Sequence, residues 1–265
     1  MSTRIISALV ALAIFIPALV FGGVIAVEVL VGLVLAVGLT EHAAMIGDKG
    51  AGTWRMLVAG ALVYVGVLWG GDLAGTAVVA AALLLFTSAV MRPGEVERAF
   101  EMCSRHIFGV LWVIGLGLHL VLLRRLDHGL EWLGVLMLIV ISADSGAYFT
   151  GRAFGKRKLY EKVSPKKTWE GVWGGLATAV VALFVARATF ADFLSPVDCV
   201  VLGVGVAAVA VVGDLAESLV KRAVGVKDSG RIMPGHGGAL DRVDSLLFGA
   251  PVLYHYITGV SSLGL

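Results

Sequence analysis

The sequence predicts an all-α integral membrane protein, a polytopic helical bundle of about nine transmembrane helices with a cytoplasmic amino terminus. Three observations carry that expectation. The 265 residues are 58% hydrophobic and 15% charged, where soluble domains are about 45–50% apolar and about 25% charged. The apolar residues fall in long charge-free runs close to the ~20 residues that a helix needs to cross a bilayer. The bases are spread unevenly over the intervening loops, as they are when one side of a membrane is cytoplasmic. The net charge of +2 gives no sign of a nucleic-acid partner, and none is expected.

The expected spans are 5–22, 24–42, 56–71, 73–91, 107–123, 130–150, 171–191, 197–215 and 245–262. The opening "MSTRIISALVALAIFIPALVFGG" has one Arg and no small-x-small cleavage site, so it reads as the first membrane helix. With the amino terminus inside, the cytoplasmic segments hold all of the 21 Lys and Arg except Arg124, Arg125 and Arg187. That partition is the one the positive-inside rule favours. Residues 1–130 then form an amino-terminal set of helices, and 131–265 a set carrying a cytoplasm-facing site. Small residues four apart in "GVLWG" (66–70) and "GVWGG" (171–175) suit close helix packing. Cys103 and Cys199 stand in no CxxC pattern and read as packing residues.

Two cytoplasmic stretches are not bland. The first is "SADSGAYFTGRAFGKRKLYEKVSPKKTWEGVWGG", 142–175. Asp144 directly follows an apolar run, either hydrated at the interface or facing a polar cavity, as ionisable groups in spans usually do. Tyr148 lies one helical turn on, on the same face. Lys156, Arg157, Lys158 and Lys162 suit anionic headgroups as readily as a substrate. In "SPKKTWEG", Pro165 interrupts helix, Ser164 and Thr168 can donate to phosphate, and Lys166 and Lys167 add charge. Thr168 can equally cap the helix that follows.

The second is "GDLAESLVKR", 213–222, followed by "KDSGRIMPGHGGALDRVD", 227–244. On a continued helix Asp214, Glu217, Ser218, Lys221 and Arg222 share one face. A solvated stripe held by Glu217–Lys221 pairing is one reading, and a wall facing a cleft is the other. Pro234 and the glycines break regular structure and allow close approach to a ligand. Asp241 and Asp244 begin the last span. Carboxylates converging from two helices suit Mg²⁺, and Lys221, Arg222, Lys227 and Arg231 suit a polyphosphate. His236 reads equally as ligand or as structural. The residues thus point to a cytoplasm-facing site at the membrane rim for a divalent metal and phosphates.

At these positions the chain resembles the phosphatidate cytidylyltransferases, or CDP-diacylglycerol synthases. Their signature is S-x-apolar-K-R-x4-K-D-x-small-x2-apolar-small-x-H-G-G-apolar-x-D-R-apolar-D. Here it reads "SLVKRAVGVKDSGRIMPGHGGALDRVD", 218–244, departing mildly at Met233 and Ala239. "ADSGAYFTGRAFGKRKL" and "SPKKTWEGVWGG" are similar to the family's upstream pattern. The likeness is specific over 143–248.

The resemblance implies transfer of a cytidylyl group from CTP to phosphatidate, giving CDP-diacylglycerol and pyrophosphate, in the inner cell membrane. It implies metal binding by Asp214 and Asp241, at a Mg²⁺ centre that can include K⁺. Lys221 and Arg222 are expected to act with these two acids. Asp144, Arg152, Ser164, Lys167, Thr168, Ser218, Lys227, His236 and Asp244 are expected at the substrates. A homodimer is the family's expectation. Two other readings remain open from the sequence: a CTP-dependent enzyme for another lipid, such as an ether-lipid phosphate or a polyprenol, and an ion-coupled transporter. The second needs acids near mid-span, where Glu28 is the candidate.

Overall fold

In lipid a backbone must satisfy its own polar groups, and the helix is the local way to do it. In the computed structural model the apolar runs do so. The structure describes residues 13, 15–48, 50–91, 94–232, 235 and 237–262. Its helices are α1 (Gly23–Met45), α2 (Ala51–Trp69), α3 (Asp72–Val90), α4 (Val96–Gly109), α5 (Leu116–Arg125), α6 (Gly129–Phe154), α7 (Trp169–Thr189), α8 (Pro196–Ala223) and α9 (Leu240–Ser262). A π-helical turn, Val110–Gly115, joins α4 to α5 in one continuous rod.

Among the described residues seven helices are long and apolar enough to cross a membrane: α1, α2, α3, the rod Val96–Arg125, α6, α7 and α8. They correspond to seven of the nine expected spans. The span expected at 5–22 lies largely outside the described residues. The one expected at 245–262 is helical, but α9 carries Asp241, Arg242, Asp244 and Pro251 and is not among the seven. The sequence reading also lacked a small antiparallel hairpin, β1 (Lys158–Tyr160) with β2 (Ser164–Thr168), between α6 and α7. It pairs Lys158 with Thr168 and Tyr160 with Ser164, with a register shift between. Pro165 sits in β2, where its missing N–H is tolerable because a two-stranded hairpin is all edge.

The chain divides into two compact units. The first takes the described residues up to Leu118 together with Asp228–Arg242. The second takes His119–Lys227 and Val243 onward.

In the first unit α1, α2 and α3 pack as neighbours, with Gly60 of α2 against Leu39 and Ile114. Its polar interior gathers at one end of α1. Glu41, His42, Asp48, His106 and Ser229 are all buried there. His106 Nε2 bonds Asp48 Oδ2 at 2.5 Å, and His42 Nε2 lies 3.1 Å from the carbonyl of Arg105.

In the second unit α6 and α7 approach through small residues. A Cβ on Gly171 would stand 2.9 Å from the Ala147 carbonyl, and one on Gly175 2.7 Å from that of Ala143. The small residues of "GVWGG" thus serve the close packing expected of them. Ser195 and Asp198 form a capping box at the start of α8, with Pro196 in the first turn. Gly213 of α8 gives room to α9, since a Cβ there would be 2.8 Å from the Asp244 carbonyl.

These contacts constrain topology within each unit. Asp48 and His106 meet with two of the membrane helices, α2 and α3, between them. Lys167 meets Asp214 with α7 rising and α8 returning. Each contact requires an even number of crossings, and the spans supply one.

Candidate active site

Asp144 stands in the second half of α6, where the helix leaves "GVLMLIVI" for "SADSGAYFTG". Asp214 stands at the matching end of α8. Close α6–α7 packing brings the end of β2 beside both. Lys167 Nζ pairs with Asp214 Oδ2 at 2.7 Å and acts electrostatically on Asp144. Thr168 is the N-cap of α7, its Oγ1 accepting from Gly171 N at 3.2 Å. The capping reading of Thr168 is therefore correct. It is buried, and Gly151 of α6 packs on its hydroxyl.

These residues line one open cavity of about 430 Å³, with Tyr148, Arg152 and Lys166 completing its polar wall. Arg152 donates to the Tyr148 hydroxyl at 3.1 Å, one turn apart on α6. Glu170 accepts from the backbone N–H groups of Lys156 and Arg157 at 3.0 and 3.2 Å, and Lys158 donates to the Pro165 carbonyl at 2.7 Å. The loop between α6 and α7 is thereby tied down, and Lys166 and Lys167 project from an ordered strand.

Beyond Asp214 the polar stripe of α8 continues as expected. Ser218 donates to Asp214 Oδ1 at 3.3 Å. Lys221 Nζ bonds Glu217 Oε2 at 3.0 Å, with both residues buried. Asp244 of α9 hydrogen-bonds Glu217 and lies in electrostatic range of Asp214 and Lys221. Asp214 is thus the common neighbour of Asp144 and Asp244. Among the described residues no three His, Cys, Asp or Glu side chains form a ready-made metal cage. Yet carboxylates crowd around Asp214 and offer hard oxygen donors, the chemistry that Mg²⁺ takes. The Lys167 ammonium answers that negative charge on Asp214. Oxygen donors of the kind a divalent cation takes are thus present, with Lys167 on one oxygen of Asp214.

Of the residues expected at the substrates, Asp144, Arg152, Lys167 and Thr168 line the cavity with Asp214. Ser164 begins β2 and is not part of that lining. Arg222 and Lys227 are exposed, and Arg222 donates to the Val226 carbonyl at 3.2 Å. His236 lies outside the described residues.

Asp241 belongs to the first unit, in the first turn of α9. Its Oδ2 accepts from Ser229 N at 2.9 Å, Ser229 Oγ at 3.0 Å and Gly238 N at 2.8 Å. Sequence reasoning missed Glu41, whose carboxylate bonds this same loop. The signal was present. An acid near the end of an apolar run, in "LTEHAAM", is the feature that singled out Asp144.

The signature segment, its acids and the cavity suit an enzyme that handles phosphates at a membrane, and comparison with known proteins agrees. A model of the cytidylyltransferase family matches residues 2–260. A protein named phosphatidate cytidylyltransferase in Pseudomonas aeruginosa is 38% identical over 260 residues, 94% of each chain. Another of that name in Staphylococcus saprophyticus is 33% identical over 268 residues, 96% of this chain and 97% of that one. A third, in Haemophilus influenzae, is 50% identical over 133 residues, 49% of this chain and 46% of that one, so this match spans about half of each. A match that runs nearly end to end, on a chain whose signature positions hold the acids described above, shows that this membrane protein belongs to the cytidylyltransferase family.

Proposed function

We infer that the protein is a phosphatidate cytidylyltransferase, joining CTP to phosphatidate with release of pyrophosphate. The observation that carries this reading is the cavity at the ends of α6 and α8, where Lys166, Lys167 and Arg152 face Asp144 and Asp214. Both substrates are anions, one soluble and one held by two acyl tails. A charged cavity set on membrane helices suits that pairing.

The phosphatidate phosphate is the nucleophile. Its oxygen bonds to the α-phosphorus of CTP, the bond from that phosphorus to the bridging oxygen breaks, and pyrophosphate leaves with the electron pair. The nucleophile is already anionic, so the residues have positioning and charge neutralisation to supply rather than proton removal. Lys166, Lys167 and Arg152 neutralise phosphate oxygens in the cavity, and the exposed Arg222 and Lys227 draw CTP from water. Lys221 serves as counter-charge to Glu217 and Asp244 and holds that face of α8 in shape. Asp214 is proposed as a ligand of Mg²⁺, and Asp241 keeps the same role from the signature. Bound Mg²⁺ supplies charge neutralisation on the phosphates, and K⁺ is proposed as its companion.

The amino terminus is proposed to be cytoplasmic, which places the ends bearing Glu41, Lys167 and Asp214 on the side where CTP is found. The positive-inside partition supports it. A second copy of the chain is proposed as partner, to be read from particle mass in detergent. The test of function is purified protein with CTP and phosphatidate, with and without Mg²⁺. Formation of CDP-diacylglycerol only with Mg²⁺ is expected.

A further inference from the structure

Glu41 lies near the end of α1, far along the chain from the signature segment, and is 7% exposed. Its Oε1 accepts from Ala239 N at 2.9 Å, and its Oε2 accepts from Leu240 N at 3.0 Å. Those N–H groups open α9 and have no partners within the helix, and the helix dipole favours a negative charge at that point. Oε2 also lies 3.2 Å from Ser229 Oγ, which stands 3.0 Å from Asp241 Oδ2. A hydroxyl has one proton to donate, so Ser229 alternates between the two carboxylates and links them.

Two glycines of the signature segment are shaped around the same carboxylate. A Cβ on Gly230 would stand 2.6 Å from Glu41 Cδ, and one on Gly238 would stand 2.6 Å from Glu41 Oε1. At these positions glycine makes room for Glu41, in addition to any approach of substrate.

We propose that Glu41 is a positioning residue of the enzyme: its buried carboxylate holds Ser229, Ala239 and Leu240 and, through Ser229 and the start of α9, fixes where Asp241 points. The proposal rests on the reading of Asp241 as part of the catalytic machinery. Gln in place of Glu41 keeps the shape but turns one acceptor oxygen into an NH₂ group. That group would face a backbone N–H, donor against donor.

The test uses full-length protein purified in detergent, with steady-state kinetics and hydrogen–deuterium exchange measured without substrate. In Glu41→Gln, kcat falls about 10–100-fold, the scale on which groups behind a metal ligand act. KM for CTP stays near the wild-type value. Amides at Ser229 and Gly238–Asp241 exchange faster, while α6, α7 and α8 keep wild-type protection. A wild-type kcat, unaltered exchange over 228–241, or faster exchange across all the helices overturns the proposal. Ser229→Ala removes the hydroxyl bridge between Glu41 and Asp241 and leaves the backbone bonds of both carboxylates, that from Ser229 N to Asp241 included. It lowers kcat several-fold and loosens the amides of residues 238 and 241. Should Glu41→Gln fail to fold, this variant decides, and an unchanged kcat overturns the proposal. Wild-type protein is assayed alongside. If it makes no CDP-diacylglycerol, the proposed reaction fails, while the exchange data still decide whether Glu41 orders the segment.

Discussion

Asp214 is the proposed centre of the cavity's chemistry. It is the residue that Lys167 pairs with and that Asp144 and Asp244 both repel. Asp214→Asn keeps the shape and removes the charge. Turnover should fall at least ~100-fold, the scale of losing one electrostatic contact to developing charge, while the protein still inserts in the membrane. Product formation per mole of inserted protein checks this, and activity within a few-fold of wild type contradicts it. Lys221 makes a different prediction, because it is buried on Glu217. Lys221→Met leaves the Glu217 and Asp244 carboxyls without their counter-charge. Breaking a buried pair from one side costs about 3–5 kcal/mol. Thermal unfolding in detergent should show that loss, and the double variant with Glu217→Leu should regain most of it. A Lys221→Met protein as stable as wild type would remove the buried pair from the account. The sequence put Glu217 and Lys221 on one face by spacing alone. Spacing did not say which bases were buried and which were free to meet phosphate.

At the scale of elements, the site depends on how closely α6 and α7 approach. Asp144 and Arg152 ride on α6, and Lys167 and Thr168 precede α7, so separating the two helices widens the cavity. Gly171→Val places a side chain against the Ala147 carbonyl, 2.9 Å from where a Cβ would fall. Overpacking of this kind costs about 1–3 kcal/mol. Turnover should drop by more than the stability loss explains, seen as a lower kcat for protein that still gives a cooperative unfolding transition. Unchanged kcat would show that the cavity tolerates a wider gap. The apolar runs made the membrane helices legible, because length and charge exclusion suffice for that. The hairpin of β1 and β2 was not legible. Its strands read Lys-Leu-Tyr and Ser-Pro-Lys-Lys-Thr, its entry is held by Glu170 on the backbone of Lys156 and Arg157 and its strands by Lys158 on a carbonyl, and no period-2 apolar pattern announces it. Glu41 is marked as a candidate by its place near the end of an apolar run, but its contacts were not legible. Its partners lie at residues 229, 239 and 240, and no local pattern encodes a contact at that separation.

For the molecule as a whole, the proposed orientation puts the charged ends of α1, α6 and α8 on the cytoplasmic side. Single cysteines at the exposed Lys162, beside β2, and at Asp127, between α5 and α6, test it in intact cells. A membrane-impermeant maleimide should label Asp127→Cys directly and Lys162→Cys only after permeabilisation. The native Cys103 and Cys199 are buried and give little background. The opposite labelling pattern would invert the protein and separate the cavity from cytoplasmic CTP. The central claim is that this member of the cytidylyltransferase family takes phosphatidate as acceptor. Its most direct test is purified protein given CTP labelled in the cytidine, phosphatidate in mixed micelles and Mg²⁺. The account predicts labelled CDP-diacylglycerol and an equal amount of pyrophosphate, both abolished by chelating the metal. Absence of labelled lipid across metals and detergents, from protein that is folded and monodisperse, would contradict it.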